Sequence, residues 1–161
     1  MAHADDRRTI AAPGILLGIG VGGILDGVVL HQLLQWHHVL TATGEHPATT
    51  VAGLEANTVA DGAFHLVATA FLVAGVALLW TRTRRPLAAS SRTIVGSALS
   101  GWGLFNLVEG LISHHLLELH HVREVSEPLP YDLAFLGFGA ALVVGGWLLA
   151  RSDDRLPDAR R

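Results

Sequence analysis

Four long apolar runs constrain the fold of this chain more than any other feature. They cover about residues 13–39, 53–80, 94–121 and 131–150. Each reaches the roughly 20 residues that an α-helix needs to cross a hydrocarbon core about 30 Å thick. A soluble helix bundle would carry a polar stripe on every helix, and these runs mostly carry none. The sequence therefore predicts an all-α integral membrane protein, in which a single domain, residues 1–161, forms a four-helix bundle in the lipid bilayer.

Arginine predicts how the four spans are oriented. The chain has no lysine, and ten of its eleven arginines lie in the N-terminal tail, the loop 81–92 and the C-terminal tail. A four-span protein places these three segments on the same side, and the positive-inside rule assigns that side to the cytoplasm. We therefore expect both termini in the cytoplasm. Because the arginines are explained by topology, no nucleic-acid partner is expected.

A stretch of the first run returns 83 positions later, in the third run. Residues 18–39 match residues 101–122 at nine of 22 positions, and three of the matches are histidines. The fourth run is a weaker copy of the second, because Asp132 and Phe135 match Asp61 and Phe64 at an offset of 71. The chain is therefore predicted to consist of two tandem helix-hairpin repeats of the same orientation, about residues 13–80 and 94–150.

Three histidines from different spans are expected to lie at one depth. At a rise of 1.5 Å per residue, His31, His65 and His114 fall about 10–15 Å below the outer surface. Ionisable groups inside a membrane are costly, so they normally face the bundle interior and have a partner. Three neutral imidazoles with a carboxylate are a typical ligand set for zinc, copper or iron. We therefore predict these three histidines as metal ligands, with Asp61 either a fourth ligand or the acceptor that orients the His65 ring.

Further histidines lie nearer the outer surface. In a continuous helix, at 100° per residue, His31, Gln35 and His38 form one stripe, and the repeat forms the equivalent stripe in the third run. A polar helix end would explain the paired histidines at this rim equally well. The additional candidate metal ligands are His37, His38, Glu118, His120 and His121.

Asp26 and Glu109 are matched acids near mid-membrane in the first and third runs. Gly27 and Gly110 follow them directly, and such small residues let two backbones approach. Two carboxylates close together in a low dielectric do not both ionise unless a cation separates them. We expect the pair either to share a proton and relay protons to the metal, or to bind a second metal ion. Together with Asp61, the two acids are the candidate catalytic groups.

Residues 18–40 read Gly-Ile-Gly-Val-Gly-Gly-Ile-Leu-Asp-Gly-Val-Val-Leu-His-Gln-Leu-Leu-Gln-Trp-His-His-Val-Leu. This stretch resembles a bacterial family of predicted four-helix membrane proteins of unknown function, DUF2243, and the resemblance covers nearly the whole chain. It implies a multi-pass protein of the bacterial inner membrane. No activity comes with the resemblance, so the function has to be argued from the residues.

The favoured function is that of a membrane metalloprotein whose site faces the periplasm. It would perform copper-dependent redox chemistry on a small substrate, such as an oxygen species or a quinol, as a membrane-bound oxidoreductase. Copper is favoured over zinc and iron because the site would meet an oxidising compartment. The chain has no cysteine and only one methionine, which argues against a Cu(I) carrier. The sequence leaves open whether the chain forms a homo-oligomer.

Three alternatives are weighed against this function. A b-type haem protein would need only two histidines among apolar walls, fewer ligands than the chain offers. A metal transporter or metallochaperone that supplies a periplasmic or respiratory enzyme would take ions from the outer face. Transport is disfavoured because the inner half, from Asp26 or Glu109 down to the arginines, is expected to offer no polar residue that passes an ion on. The histidines could also be hydrogen-bonded tethers between helices, without any metal.

Overall fold

The computed structural model describes residues 2–82 and 91–152, with side chains from residue 9 onward. This part of the chain is helical, without β-strands. The first helix, α1, spans Ala2–Asp26 and continues as a π-helical segment, π1, over Gly27–Leu33. A short 3₁₀ turn at Thr41–Thr43 precedes α2, Val51–Arg82. The second half contains α3 at Ser91–Glu109, the segment π2 at Gly110–Leu116, and α4 at Leu129–Arg151.

All four helices are long and apolar enough to cross a membrane. The candidate spans are Thr9–Leu33, Val51–Arg82, Ser91–Leu116 and Leu129–Arg151. The predicted all-α fold with four spanning helices is therefore confirmed. Pro13, the predicted start of the first helix, lies inside α1. Part of the arginine-rich loop, residues 83–90, lies outside the described residues.

The central pair of the bundle is α1 and α3, with α2 packed on α1 and α4 packed on α3. Close approach between α1 and α3 depends on Gly18, where an added Cβ would overlap the Ala98 backbone, and on Gly101, which faces the Ile15 backbone. Packing through small residues is typical of helices in lipid. Burial of a large apolar side chain between helices brings no hydrophobic stabilisation there, because the lipid tails are equally apolar. The flanking helices accordingly expose large apolar residues, among them Val59, Leu66, Leu133 and Val144.

Helical structure ends earlier than predicted in both central helices. The predicted ends were residues 39 and 121, whereas π1 ends at Leu33 and π2 ends at Leu116. Gln35 and Glu118 then adopt left-handed backbone conformations, each with φ of 49°. A left-handed residue cannot continue a right-handed helix. The predicted stripe through Gln35, and its equivalent through Glu118, therefore does not form.

The segments after these left-handed residues pack together at the end of the central pair where π1 and π2 lie. They are joined to one another by backbone hydrogen bonds, from Ala42 N–H to the Leu119 carbonyl at 2.9 Å and from Glu124 N–H to the Trp36 carbonyl at 3.1 Å. The buried side chain of Asn57 holds the first of these segments from α2, because it accepts the Leu40 N–H at 3.0 Å. This end of the bundle is thus built from both halves of the chain.

Candidate metal centre

Four buried histidines lie in a row at the end of the bundle where π1 and π2 follow α1 and α3. Each is between 1 and 3% exposed. Neighbouring ring centroids are 4.4 Å apart for His31 and His37, 4.5 Å for His37 and His120, and 5.0 Å for His120 and His114. The outer members, His31 and His114, belong to π1 and π2. The two central members, His37 and His120, follow the left-handed residues. The chain changes direction at those residues, and this change directs both rings into the interior.

The first group of candidate ligands consists of Asp26, His31 and His37, whose ligand atoms all lie within 4.8 Å of one another. His31 Nδ1 donates to Asp61 Oδ1 at 2.9 Å, and its Nε2 faces Asp26 Oδ2 at 3.4 Å. His37 Nδ1 donates to the Val122 carbonyl at 2.8 Å. A neutral imidazole has one N–H, so the Nε2 of His37 carries a lone pair. Neither Nε2 has a hydrogen-bond partner.

The second group consists of Glu109, His114 and His120 and meets the same distance criterion. Glu109 Oε2 lies 3.1 Å from His114 Nε2, and Oε1 lies 2.9 Å from His120 Nε2. His120 Nδ1 donates to the Val39 carbonyl at 3.1 Å. The His114 ring forms no hydrogen bond, and its Nδ1 is 3.4 Å from Asp132 Oδ1. The second group therefore offers the same ligand types, but its carboxylate contacts both histidines.

Two aspartates connect this row to an outer rim. Asp61 binds His31 through one oxygen and accepts a hydrogen bond from His38 Nδ1 at 2.7 Å through the other. Asp132 repeats this arrangement with His121 Nδ1, also at 2.7 Å. The side chains of His38 and His121 are 13% and 29% exposed. They are therefore the histidines through which the buried row reaches the surface.

Each half of the chain fixes a histidine of the other half. The carbonyl of Val122, in the second half, holds His37, and the carbonyl of Val39, in the first half, holds His120. The two rings stack face to face, with an interplanar angle of 4°. A backbone carbonyl that fixes one ring nitrogen leaves the other free and oriented, as in many metal-binding histidines. The row is therefore completed only when both halves come together.

Burial keeps the His37 ring neutral. Removal from water, reinforced by the nearby imidazoles of His120 and His31, lowers the pKa of His37 from 6.5 to about 2. His37 lies beyond the spanning part of the first helix, which ends at Leu33. A neutral imidazole is the form that binds metal ions. This ring is therefore in its metal-binding form throughout the physiological pH range.

His65 and Glu118, both predicted as metal ligands, lie outside the two groups. His65 Nδ1 donates to the Asp61 backbone carbonyl at 2.8 Å, and its Nε2 packs against Gly27. The Asp61 carboxylate, expected to orient His65, instead binds His31 and His38. Glu118 has a left-handed backbone conformation, and its side chain is exposed.

The matched acids fall into different groups, Asp26 in the first and Glu109 in the second. They are close enough to influence each other electrostatically. The glycines that follow them, however, do not bring α1 and α3 together as predicted. Gly27 makes room for His65 of α2, and Gly110 makes room for Leu136 of α4.

Three residues of the site were not among the predicted site residues. Asp132 is 1% exposed and takes the place that Asp61 has in the first half. Phe64 stacks on His31 and Phe135 packs on His114, each with ring centroids 5.4 Å apart. The offset of 71 between the second and fourth runs is the sequence signal for all of these positions.

Unpartnered ligand atoms are concentrated in this centre. Seven buried side-chain nitrogen and oxygen atoms lack a hydrogen bond in the described part of the chain, and five of them belong to the two groups. Those five are His31 Nε2, His37 Nε2, His114 Nδ1, His114 Nε2 and Glu109 Oε2. Nitrogen and carboxylate lone pairs that converge in this way can hold a transition-metal ion in each group.

The fold and the site together define an integral membrane protein of four spans with a buried histidine–carboxylate cluster at one end. The chain belongs to the DUF2243 family of predicted membrane proteins, whose family model matches residues 13–153. The matched segment contains both groups and both aspartates. Searches of curated proteins and of solved structures give no match.

Proposed function

We propose that this protein is a membrane metalloprotein that binds two transition-metal ions side by side, one in each group, and uses them for redox chemistry. The substrate would be a small molecule, such as an oxygen species or a quinol, that reaches the centre from the outer side. The arginine distribution supports a location in the bacterial inner membrane with the centre toward the periplasm.

The observation that carries this proposal is the set of unpartnered ligand atoms. A buried polar atom without a partner destabilises a protein by about 1–3 kcal/mol. Four of the five atoms face one another or an aspartate oxygen at 3.1–3.4 Å without forming a hydrogen bond, and a bound cation would stabilise that arrangement. Metal ions bound through Nε2 and carboxylate oxygen would give partners to four of the five atoms, all except His114 Nδ1.

The types of ligand atom in each group restrict which metal ions it can bind. The sequence favours copper because the site would meet an oxidising compartment, and each group of the structure offers two imidazoles and one carboxylate. Two imidazoles with one carboxylate are the ligands of many non-haem iron enzymes and of hydrolytic zinc sites. We therefore propose a redox-active pair of iron or copper ions, with zinc as the redox-inert alternative. When bound, such ions would supply one-electron oxidation and reduction.

The residues around the metal positions support a fixed centre. Asp61 and two backbone carbonyls set the ring orientations. Phe64 and Phe135 cover the flanks of the row with apolar surface. Haem is disfavoured, because the two central imidazoles stack face to face at 4.5 Å and leave no layer for a planar macrocycle between them.

Metal delivery is a second candidate function, favoured by the connection between rim and row. Each rim histidine shares an aspartate with a buried histidine, so a metal ion could pass inward without leaving oxygen and nitrogen ligands. A delivery protein would release its metal to an apo-acceptor or a competing chelator within minutes. A redox centre would keep its metal under the same conditions.

Metal analysis of purified protein tests the proposal. The detergent-solubilised apo-protein is loaded with iron, copper or zinc in turn, and the metal content is measured by mass spectrometry. We expect about two ions per chain in the wild type and clearly fewer in His37→Ala. His115→Ala is the matched control, because His115 is exposed and lies outside both groups. A wild type that retains no stoichiometric metal would refute the proposal.

Redox chemistry is tested on the loaded protein. After reduction, the metal's optical or EPR spectrum is followed during mixing with dioxygen or a soluble quinone. We expect oxidation to depend on the metal and to be lost in the His37→Ala variant. Stoichiometric metal that does not react with any oxidant would support the delivery function instead.

A further inference from the structure

We propose that the two groups are functionally different: the first holds a resident metal ion tightly, and the second exchanges a divalent first-row transition-metal ion through the rim at His121. This inference rests on the proposed function. It concerns how the two halves of the centre differ, although their ligands occupy equivalent positions 83 residues apart.

The hydrogen bonds behind the ligands differ between the halves. His31 donates to Asp61 at 2.9 Å, which fixes the ring with its Nε2 lone pair toward the metal position. The corresponding distance from His114 to Asp132 is 3.4 Å, and no hydrogen bond forms. Loss of such a supporting partner typically lowers metal affinity about 10–100-fold. This difference favours the first group.

The carboxylates of the two groups, Asp26 and Glu109, also differ in a way that favours tighter binding in the first group. Asp26 contacts only His31, at 3.4 Å. Glu109 is one methylene longer and reaches both His114 and His120. A metal ion that enters the second group has to separate Glu109 from two imidazoles, at 3.1 and 2.9 Å. In the first group Asp26 faces one imidazole, at 3.4 Å, so less rearrangement is needed.

The rim is also more open above the second group. The His121 side chain is 29% exposed, against 13% for His38. His38 is further enclosed in a turn, in which its N–H binds the Thr41 hydroxyl at 2.6 Å. The N–H of His121 instead binds the exposed carboxylate of Glu124 at 2.9 Å. The imidazole of His121 and the carboxylates of Asp132 and Glu124 therefore lead from outside to the second group.

Titration of the apo-protein with Co²⁺ in detergent, followed by absorption spectroscopy and calorimetry, tests this inference. We expect two binding steps whose dissociation constants differ about 10–100-fold. Asp61→Asn should weaken the tight step by a similar factor and leave the loose step nearly unchanged. Asp132→Asn, the matched control, should leave the tight step unchanged and weaken the loose step less than tenfold, because the His114 hydrogen bond is already missing.

A second variant keeps the test decisive if Asp61→Asn does not fold. Glu109→Asp gives the second group the shorter carboxylate of the first and releases His120, so it should strengthen the loose step several-fold. The exchange route through His121 is tested separately. His121→Ala should slow the removal of the loosely held ion by a chelator several-fold, whereas His38→Ala should not.

Two equal steps in the wild type, or a weakened tight step in Asp132→Asn, would overturn the inference and leave the two-metal centre standing. A protein that binds no stoichiometric Co²⁺ would count against the proposed function itself.

Discussion

Replacement of Gln35 by glycine is expected to leave the stability of the protein unchanged or to raise it, although the residue lies two positions beyond a spanning helix. Gln35 is exposed and has a φ of 49°. The left-handed conformation costs a non-glycine residue about 1–2 kcal/mol. Glycine avoids this strain but loses about 0.5–1 kcal/mol more through conformational entropy. The net effect is a stabilisation between about 0 and 1.5 kcal/mol.

A helical conformation at Gln35 would give the opposite sign. Glycine inside a helix destabilises by about 1 kcal/mol relative to alanine, which corresponds to a loss of about 2–4 °C in melting temperature for a chain of this size. Valine provides the complementary test, because a β-branched residue tolerates positive φ poorly. We expect Gln35→Val to be destabilised by about 1 kcal/mol or more.

Thermal unfolding in detergent, followed by circular dichroism, measures both variants. Glu118→Gly is the matched variant in the second half, where the same φ of 49° occurs. Both glycine variants should also keep their metal, because the turn that directs His37 and His120 inward is preserved. If glycine lowers the melting temperature by several degrees and valine does not, the left-handed turn is absent and the buried histidine row loses its structural basis.

Two further predictions concern packing and orientation. Gly18→Leu should prevent stable folding, because a side chain there would meet the Ala98 backbone, whereas Gly62→Leu should behave as wild type, since nothing lies within 4 Å of an added Cβ; equal expression and stability of the two variants would contradict the α1–α3 contact. Ala48→Cys and Ser126→Cys should react with a membrane-impermeant maleimide on intact cells. Labelling only after lysis would reverse the predicted orientation.

The long apolar runs were sufficient to predict four helices that can span a membrane, because this property depends on composition rather than on detailed contacts. The arginine positions predict the orientation of these helices, also from composition. Matching at offsets of 83 and 71 also identified the positions that form the centre. Asp61 and Asp132 occupy corresponding places, and both orient or approach a histidine of their own half. That Asp132 takes part could have been predicted from the offset alone.

The local backbone could not be predicted in the same way. A π-helical segment replaces the usual i→i+4 hydrogen bonds by i→i+5 bonds and leaves no mark on apolar periodicity. Left-handed residues are usually signalled by glycine or asparagine, and here they are Gln35 and Glu118. Counting depth along a straight helix therefore placed His37 and His120 at the rim, although both are buried.

The straight-helix count also led to the prediction of His65 as a metal ligand, and this residue lies outside both groups. His65 lies at the predicted level on a spanning helix, but its ring is directed toward Gly27 and its Nδ1–H is used by the Asp61 carbonyl. The equivalent residue in the fourth run, Leu136, already indicated that the centre does not require a histidine there. His37, delivered by the turn after π1, completes the group instead.

Anomalous diffraction at the metal absorption edge, from crystals of the metal-loaded protein, tests the two-metal centre most directly. We expect two peaks, one bound by Asp26 with Nε2 of His31 and His37, and the other by Glu109 with Nε2 of His114 and His120. A single peak at the rim between His38 and Asp61 or between His121 and Asp132, or no peak within reach of the buried histidines, would contradict the account.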